Sequence, residues 1–360
     1  MKPLKCLIPL LLVLILLTGC SHLLESRYIS VKPHTETGGA GENEDLLTAE
    51  NYLSLKNAIL SLVENSVEEG VIRVSDYSGD LEEELQEAIE EVSTRDPLGS
   101  YAVEEMHGEC SLIVSYYEVR IYTEYRRTAE QIRSVERVAS VGLLEERLQK
   151  AMENGDPSLT VRLSYYNDED IESMARAYYR DNPAIVMEMP QMTVNIYPQD
   201  GGYVRILEML FSYEHSAETL KTFRDAVETS ARAAGEYVRY RDTESDKLQL
   251  LYTYLQERFS YIEGTSSTPV YSFLCEGIAD SEGAARSLQI ICNEMELECY
   301  TVEGALDGAP HVWNIVCVDG VYCHADLYRS LMHGSESLTL YKDGSMTAYE
   351  WDREAYPACP

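Results

Sequence analysis

The stretch His311-Val312-Trp313-Asn314-Ile315-Val316-Cys317-Val318-Asp319-Gly320-Val321-Tyr322-Cys323-His324-Ala325-Asp326 decides how the C-terminal part of this chain folds. Both halves are rich in β-branched and aromatic residues, and Asp319-Gly320 between them is a favoured two-residue hairpin turn. A turn of that length pairs Val318 with Val321. Counting outward, with a return strand running to Leu327, places Trp313 opposite Asp326 and Tyr328 opposite His311. Residues two apart on a strand share a face, so His311 and Asp326 become diagonal neighbours on one side of the hairpin. A histidine oriented by a carboxylate is half of a nucleophilic triad.

Upstream, Asp280-Ser281-Glu282-Gly283-Ala284-Ala285 opens a helix. Its apolar residues Ala284, Ala285, Leu288, Ile291, Cys292 and Met295 recur at helical spacing and form one buried stripe. Ser281 therefore sits at or near the helix start, among the free backbone N–H groups. Serine there is also a good N-cap, worth about 1 kcal/mol, which is a purely structural use of the same residue. Before it, Leu248, Leu251, Tyr252, Leu255 and Phe259 mark an amphipathic helix over 243–261, with Asp242-Thr243 as its cap.

Together these segments resemble the transglutaminase-like superfamily. Its bacterial members carry Cys-x-Gly-Tyr-Ala, then His-Ala-Trp-Asn, then a short hairpin ending His-Val-Asp. Here the corresponding runs are Ser281-Glu282-Gly283-Ala284-Ala285, His311-Val312-Trp313-Asn314 and His324-Ala325-Asp326. The helix around Tyr252-Thr253-Tyr254-Leu255 and the final Tyr349-Glu350-Trp351-Asp352 with Tyr356-Pro357-Ala358-Cys359 are similar too. The resemblance covers about the last third of the chain. It implies an α+β, papain-like domain with a helix-borne nucleophile position packed on an antiparallel sheet. It also implies acyl transfer or amide hydrolysis with Ser281, His311 and Asp326 in the catalytic places. Ser281 replaces the nucleophilic cysteine and Ala284 the usual tyrosine. A register using Cys275-Glu276-Gly277-Ile278-Ala279 would restore the cysteine but would lengthen the helix by six residues, so Ser281 is preferred. His324 is expected to pack, since the family often has histidine there.

A serine hydroxyl needs full general-base assistance, whereas a thiol with a pKa of about 8.5 is partly ionised near neutrality. The expected function is therefore a catalytically silent or weakened module that binds a peptide, glycan or protein. The alternative is a hydrolase using a Ser281–His311–Asp326 triad. No cofactor is expected. No cysteine pair has CxxC spacing and no histidine is grouped with cysteines, so a metal site has no support either.

Working outward to the N-terminus, residues 47–235 read as an α+β region with an internal repeat, 47–140 and 141–235. Each half has the order strand, helix, strand, strand. Val71 to Ser75 and Leu159 to Ser164 open the halves, and helical stretches follow at Asp80 to Val92 and from Asp168. The paired strands are Tyr101 to Met106 with Leu112 to Tyr125, and Ile185 to Ile196 with Tyr203 to Tyr213. Val119-Arg120-Ile121 is echoed by Val204-Arg205-Ile206. The transglutaminase-like domain is assigned to 236–360.

Residues 1–19 read as a signal peptide, with Lys2 and Lys5 before the apolar run Leu7 to Leu17, too short for the roughly 20 residues of a membrane span. Leu17-Thr18-Gly19-Cys20 resembles a bacterial lipobox, which implies lipidation of Cys20 and anchoring at the outer face of the cell membrane. Residues 20–46, with Thr35-Glu36-Thr37-Gly38-Gly39-Ala40-Gly41, form a polar tether. Seven cysteines remain: Cys110, Cys275, Cys292, Cys299, Cys317, Cys323 and Cys359. Their spacing leaves open whether any two form a disulfide. A formal charge of −33 repels phosphate backbones and argues against nucleic acid as a partner.

Overall fold

The computed structural model describes residues 47–360, all within one compact unit. The signal segment, Cys20 and the tether lie outside the described residues.

Two four-stranded sheets make up the N-terminal region. The first joins β1 (Leu47–Ala49), β2 (Glu69–Val74), β3 (Val103–Ile113) and β4 (Tyr116–Tyr125) in the order β1-β2-β4-β3. The second joins β5 (Glu136–Val138), β6 (Ser158–Leu163), β7 (Gln191–Tyr197) and β8 (Arg205–Ser212) in the order β5-β6-β8-β7. In both, the first pair is parallel and the other two are antiparallel. Helices α1 (Tyr52–Glu64), α2 (Leu81–Glu90) and α3 (Pro97–Ala102) belong to the first unit. Helix α4 (Ala129–Arg133) links the two units and buries Ile132 in the first core, whereas α5 (Val141–Asn154) and α6 (Ile171–Asp181) belong to the second.

Each unit thus opens with a strand and helix that the expected order lacked. Three-residue strands are too short to show alternation, which is why β1 and β5 escape a periodicity argument. The 140/141 division is corrected accordingly, because β5 lies before it yet pairs with β6. The echo of Val119-Arg120-Ile121 in Val204-Arg205-Ile206 is not a structural equivalence. Val119 faces Ile72 and Leu207 faces Val161, so Leu207, not Val204, holds the place of Val119. Leu112 and Ile113 belong to β3, because the chain turns at Val114-Ser115, where Ser115 is the only turn-favouring residue.

The C-terminal core begins earlier than position 236. Helix α7 (Ala217–Val238) runs straight through that point. Its Val227, Ala231, Ala234 and Val238 share one core with Leu248, Leu251 and Leu255 of α8 (Glu244–Arg258) and Leu288 and Ile291 of α10 (Ser281–Glu294), α9 being the single turn Pro269–Tyr271. Thr243 caps α8 as expected, accepting the Asp246 N–H at 3.1 Å. β9 (Ile262–Glu263) and β10 (Ile278–Ala279) form a short parallel pair.

Helix α10 packs on an antiparallel sheet ordered β14-β13-β12-β11-β15: β11 (Cys299–Leu306), β12 (Ala309–Val318), β13 (Val321–Ala325), β14 (Leu340–Tyr341) and β15 (Tyr349–Glu350). The β12–β13 register is the expected one, from Val318 with Val321 to Asn314 with Ala325. Asp319 and Gly320 both have positive φ, as a type I′ turn requires. The return strand stops at Ala325, however. Asp326 caps α11 (Leu327–Met332), so Tyr328 is helical and does not pair with His311.

Candidate active site

The cap of α10 is Asp280, not Ser281. Its Oδ1 accepts the Gly283 N–H at 2.6 Å, and Ser281 is the first helical residue. Gly283 is required by contact: a Cβ there would stand 2.5 Å from the carbonyl oxygen of Pro269. With capping taken by Asp280, the Ser281 hydroxyl points across to β12, where its Oγ accepts the Val312 N–H at 3.3 Å. Burial pushes the Asp280 carboxyl above its ordinary range, against the pull of the Gly283 amide.

Beside Val312, the His311 ring is 8% exposed and its Nε2 lies 2.7 Å from Asp326 Oδ2. Asp326 is 1% exposed and held at both oxygens. Oδ1 accepts the Arg329 N–H at 2.9 Å, and Oδ2 also accepts the Tyr349 hydroxyl at 2.8 Å. Nδ1 is therefore the ring nitrogen left for a reacting group. Among the described residues no hydrogen bond joins Ser281 Oγ to the imidazole, and the serine is paired with a backbone amide instead. A cleft of about 620 Å³ contains both Ser281 and His311.

Every residue of His311-Val312-Trp313-Asn314 has a physical task here. His311 meets Asp326, and Val312 offers its N–H to Ser281. Asn314 donates to the Ala285 carbonyl at 2.9 Å, fixing the sheet to α10. Trp313 is fully buried and donates its indole N–H to His324 Nδ1 at 3.0 Å. His324 Nε2 lies 2.8 Å from Asp343 Oδ1. Burial holds the His324 pKa below its ordinary value. His324, Asp343 and Cys359 offer donor atoms within 4.8 Å of one another. A neutral imidazole has one lone pair, and at His324 the Trp313 indole already uses it. This cluster is a structural tie that holds the C-terminal segment against the sheet.

The structure thus brings Ser281, His311 and Asp326 together. Cys275 lies elsewhere, in the turn Ser272–Glu276, with its Sγ 3.7 Å from Ser230 Oγ and its thiol pKa raised by burial. The seven cysteines of the described residues are all free thiols. His107 stacks on Tyr122 and His215 meets Glu188 at 2.8 Å, and neither histidine lines the cleft. Sequence reasoning missed Asp280 as the cap and Tyr349 as a partner of Asp326. It also missed Arg286, 2% exposed beneath the cleft. The Tyr349-Glu350-Trp351-Asp352 run was the available signal for the second; Arg286 gave none.

A search of curated proteins finds no match. A solved structure titled "Crystal structure of a TGase" is similar at 11% identity and a TM-score of 0.27, covering 53% of this chain and 58% of that one. The family model described as Transglutaminase-like superfamily matches residues 231–327, from within α7 to the start of α11. Residues 231–327, with the Ser281 helix start and the His311–Asp326 hairpin, are a transglutaminase-like superfamily domain.

Proposed function

We propose that this chain is a lipid-anchored bacterial surface protein whose transglutaminase-like domain binds a peptide, glycan or protein ligand without turning it over. The single observation that carries this reading is that, among the described residues, Ser281 Oγ makes no hydrogen bond to His311 and meets only the Val312 amide, as an acceptor. A serine nucleophile depends on a base in hydrogen-bond contact, whereas a thiolate would not. Loss of a triad nucleophile costs on the order of a millionfold in rate. The scaffold around it is kept: the His311–Asp326 pair, the cleft and the Asn314 tie persist. Anchoring rests on the Leu17-Thr18-Gly19-Cys20 run, with Cys20 carrying the lipid and membrane contact made through it.

A second reading, a serine-dependent acyl hydrolase, is favoured by one fact. Asp280 caps the helix and leaves the Ser281 hydroxyl uncommitted to that role. In unliganded sites catalytic hydrogen bonds are often long and tighten only with substrate. Labelling the wild-type protein with a fluorophosphonate separates the two. The binding-module reading predicts no adduct at Ser281 by peptide mass spectrometry; a stoichiometric adduct that His311→Ala abolishes would establish the hydrolase.

A further inference from the structure

The cleft is not built by the transglutaminase-like domain alone. Arg176, Tyr179 and Met189 of the second α+β unit line it together with Ser281 and His311. Two ties hold that wall in place. The first is Arg286, five residues after Ser281 in α10. Its guanidinium bonds Glu282 on its own helix and Glu303 on β11, and reaches the carbonyls of Tyr179 and Arg180 at 3.1 and 3.2 Å. Those carbonyls belong to the last turn of α6, where backbone acceptors are free and the helix dipole favours a cation. The guanidinium also lies 4.3 Å from the Tyr179 ring centroid. The second tie is Ser267, also in the cleft lining, which donates to Glu214 Oε2 at 2.7 Å just after β8.

Resting on the binding-cleft reading above, we infer that the second α+β unit is the ligand-selecting half of the site. Its wall takes an apolar side chain of an extended polypeptide segment that carries no net negative charge. Three features point to this ligand. Met189 is half-buried and, with Pro269, Pro310 and Val312, gives the cleft apolar surface. A sugar platform is not available at Tyr179, because that ring is 8% exposed and covered by Arg286. Asp280, Glu282 and Glu303 outnumber Arg176 and Arg286 around the cleft, and the whole chain carries −33, so a negative ligand is repelled.

The test uses the full chain with Ser281→Cys as a chemical reporter of the cleft. Iodoacetamide, bromoacetyl-Leu-Lys-amide and bromoacetyl-Leu-Glu-amide are compared by rate of thioether formation at position 281, in this variant and with Met189→Ser added. Met189 is only half-buried, so its replacement leaves the fold intact, and unchanged iodoacetamide rates report that. The expected result is Leu-Lys reacting at least about fivefold faster than Leu-Glu at low salt. Adding Met189→Ser should lower the Leu-Lys rate by about fivefold and leave the iodoacetamide rate within about twofold; the factor expected of one apolar contact is of this order. Leu-Glu reacting as fast as Leu-Lys, or Met189→Ser leaving the ratio to iodoacetamide unmoved, overturns the inference alone. No labelling by any probe overturns the cleft reading beneath it.

Discussion

At the residue scale, the decisive exchange is between positions 280 and 281. A serine at a helix start invites the interpretation that it caps, and the cap is in fact its neighbour. Asp280 carries a cost for this: burial raises its pKa, so the native state holds the proton more tightly than the unfolded chain. Its contribution to stability is present at acid pH and is lost as pH rises from the ordinary carboxylate range through the raised value. Asp280→Asn keeps the cap without the charge. Thermal midpoints measured from about pH 4 to 7 should decline less in the variant, with the variant the more stable at neutrality; parallel curves would contradict this. His324 has the opposite sign. Its pKa is lowered by burial, so stability falls as pH drops below its ordinary 6.5, and His324→Gln should flatten that acid limb in the same titration. Tyr349→Phe removes one of two donors to Asp326 Oδ2. A hydrogen bond to a charged group is worth about 2 kcal/mol, to be read as a shift in denaturant midpoint without change in slope.

At the scale of elements, the hairpin was legible because its turn and its alternation obey simple rules. Asp319-Gly320 fixes the register, and the register fixes which residues share a face with His311. What was not legible is where the second strand ends. Asp326 serves two structures at once, capping α11 through Oδ1 and holding His311 through Oδ2, and no sequence periodicity reports a residue with two tasks. The N-terminal units behave likewise. Their longer strands carried alternation, while β1 and β5, three residues each, carried none. Cys275 is the rival in the sequence; spacing to the helix end disfavours it, and it is not among the residues that line the cleft. Gly283 marks where α10 and Pro269 touch backbone to backbone. Gly283→Ala should cost about 1–3 kcal/mol by overpacking, measured by urea denaturation. A change under about 0.5 kcal/mol would mean that the contact is looser than described.

At the scale of the whole molecule, helix α7 makes the N-terminal units and the transglutaminase-like core one body. It ends the second unit and buries Val227, Ala231, Ala234 and Val238 in the C-terminal core. A fragment beginning at residue 236 therefore loses the helix that covers that core, and should be insoluble or molten by near-ultraviolet circular dichroism, whereas one beginning before Ala217 should fold. Position 281 shares the cleft with an imidazole already oriented by a carboxylate, so a sulfur placed there should become a thiolate. The most direct measurement is the pH profile of iodoacetamide alkylation of Ser281→Cys. A thiol beside that imidazole should react with an apparent pKa between about 3.5 and 7.5 and lose the depression in His311→Ala. An apparent pKa at the ordinary value of about 8.5, unmoved by His311→Ala, would contradict it.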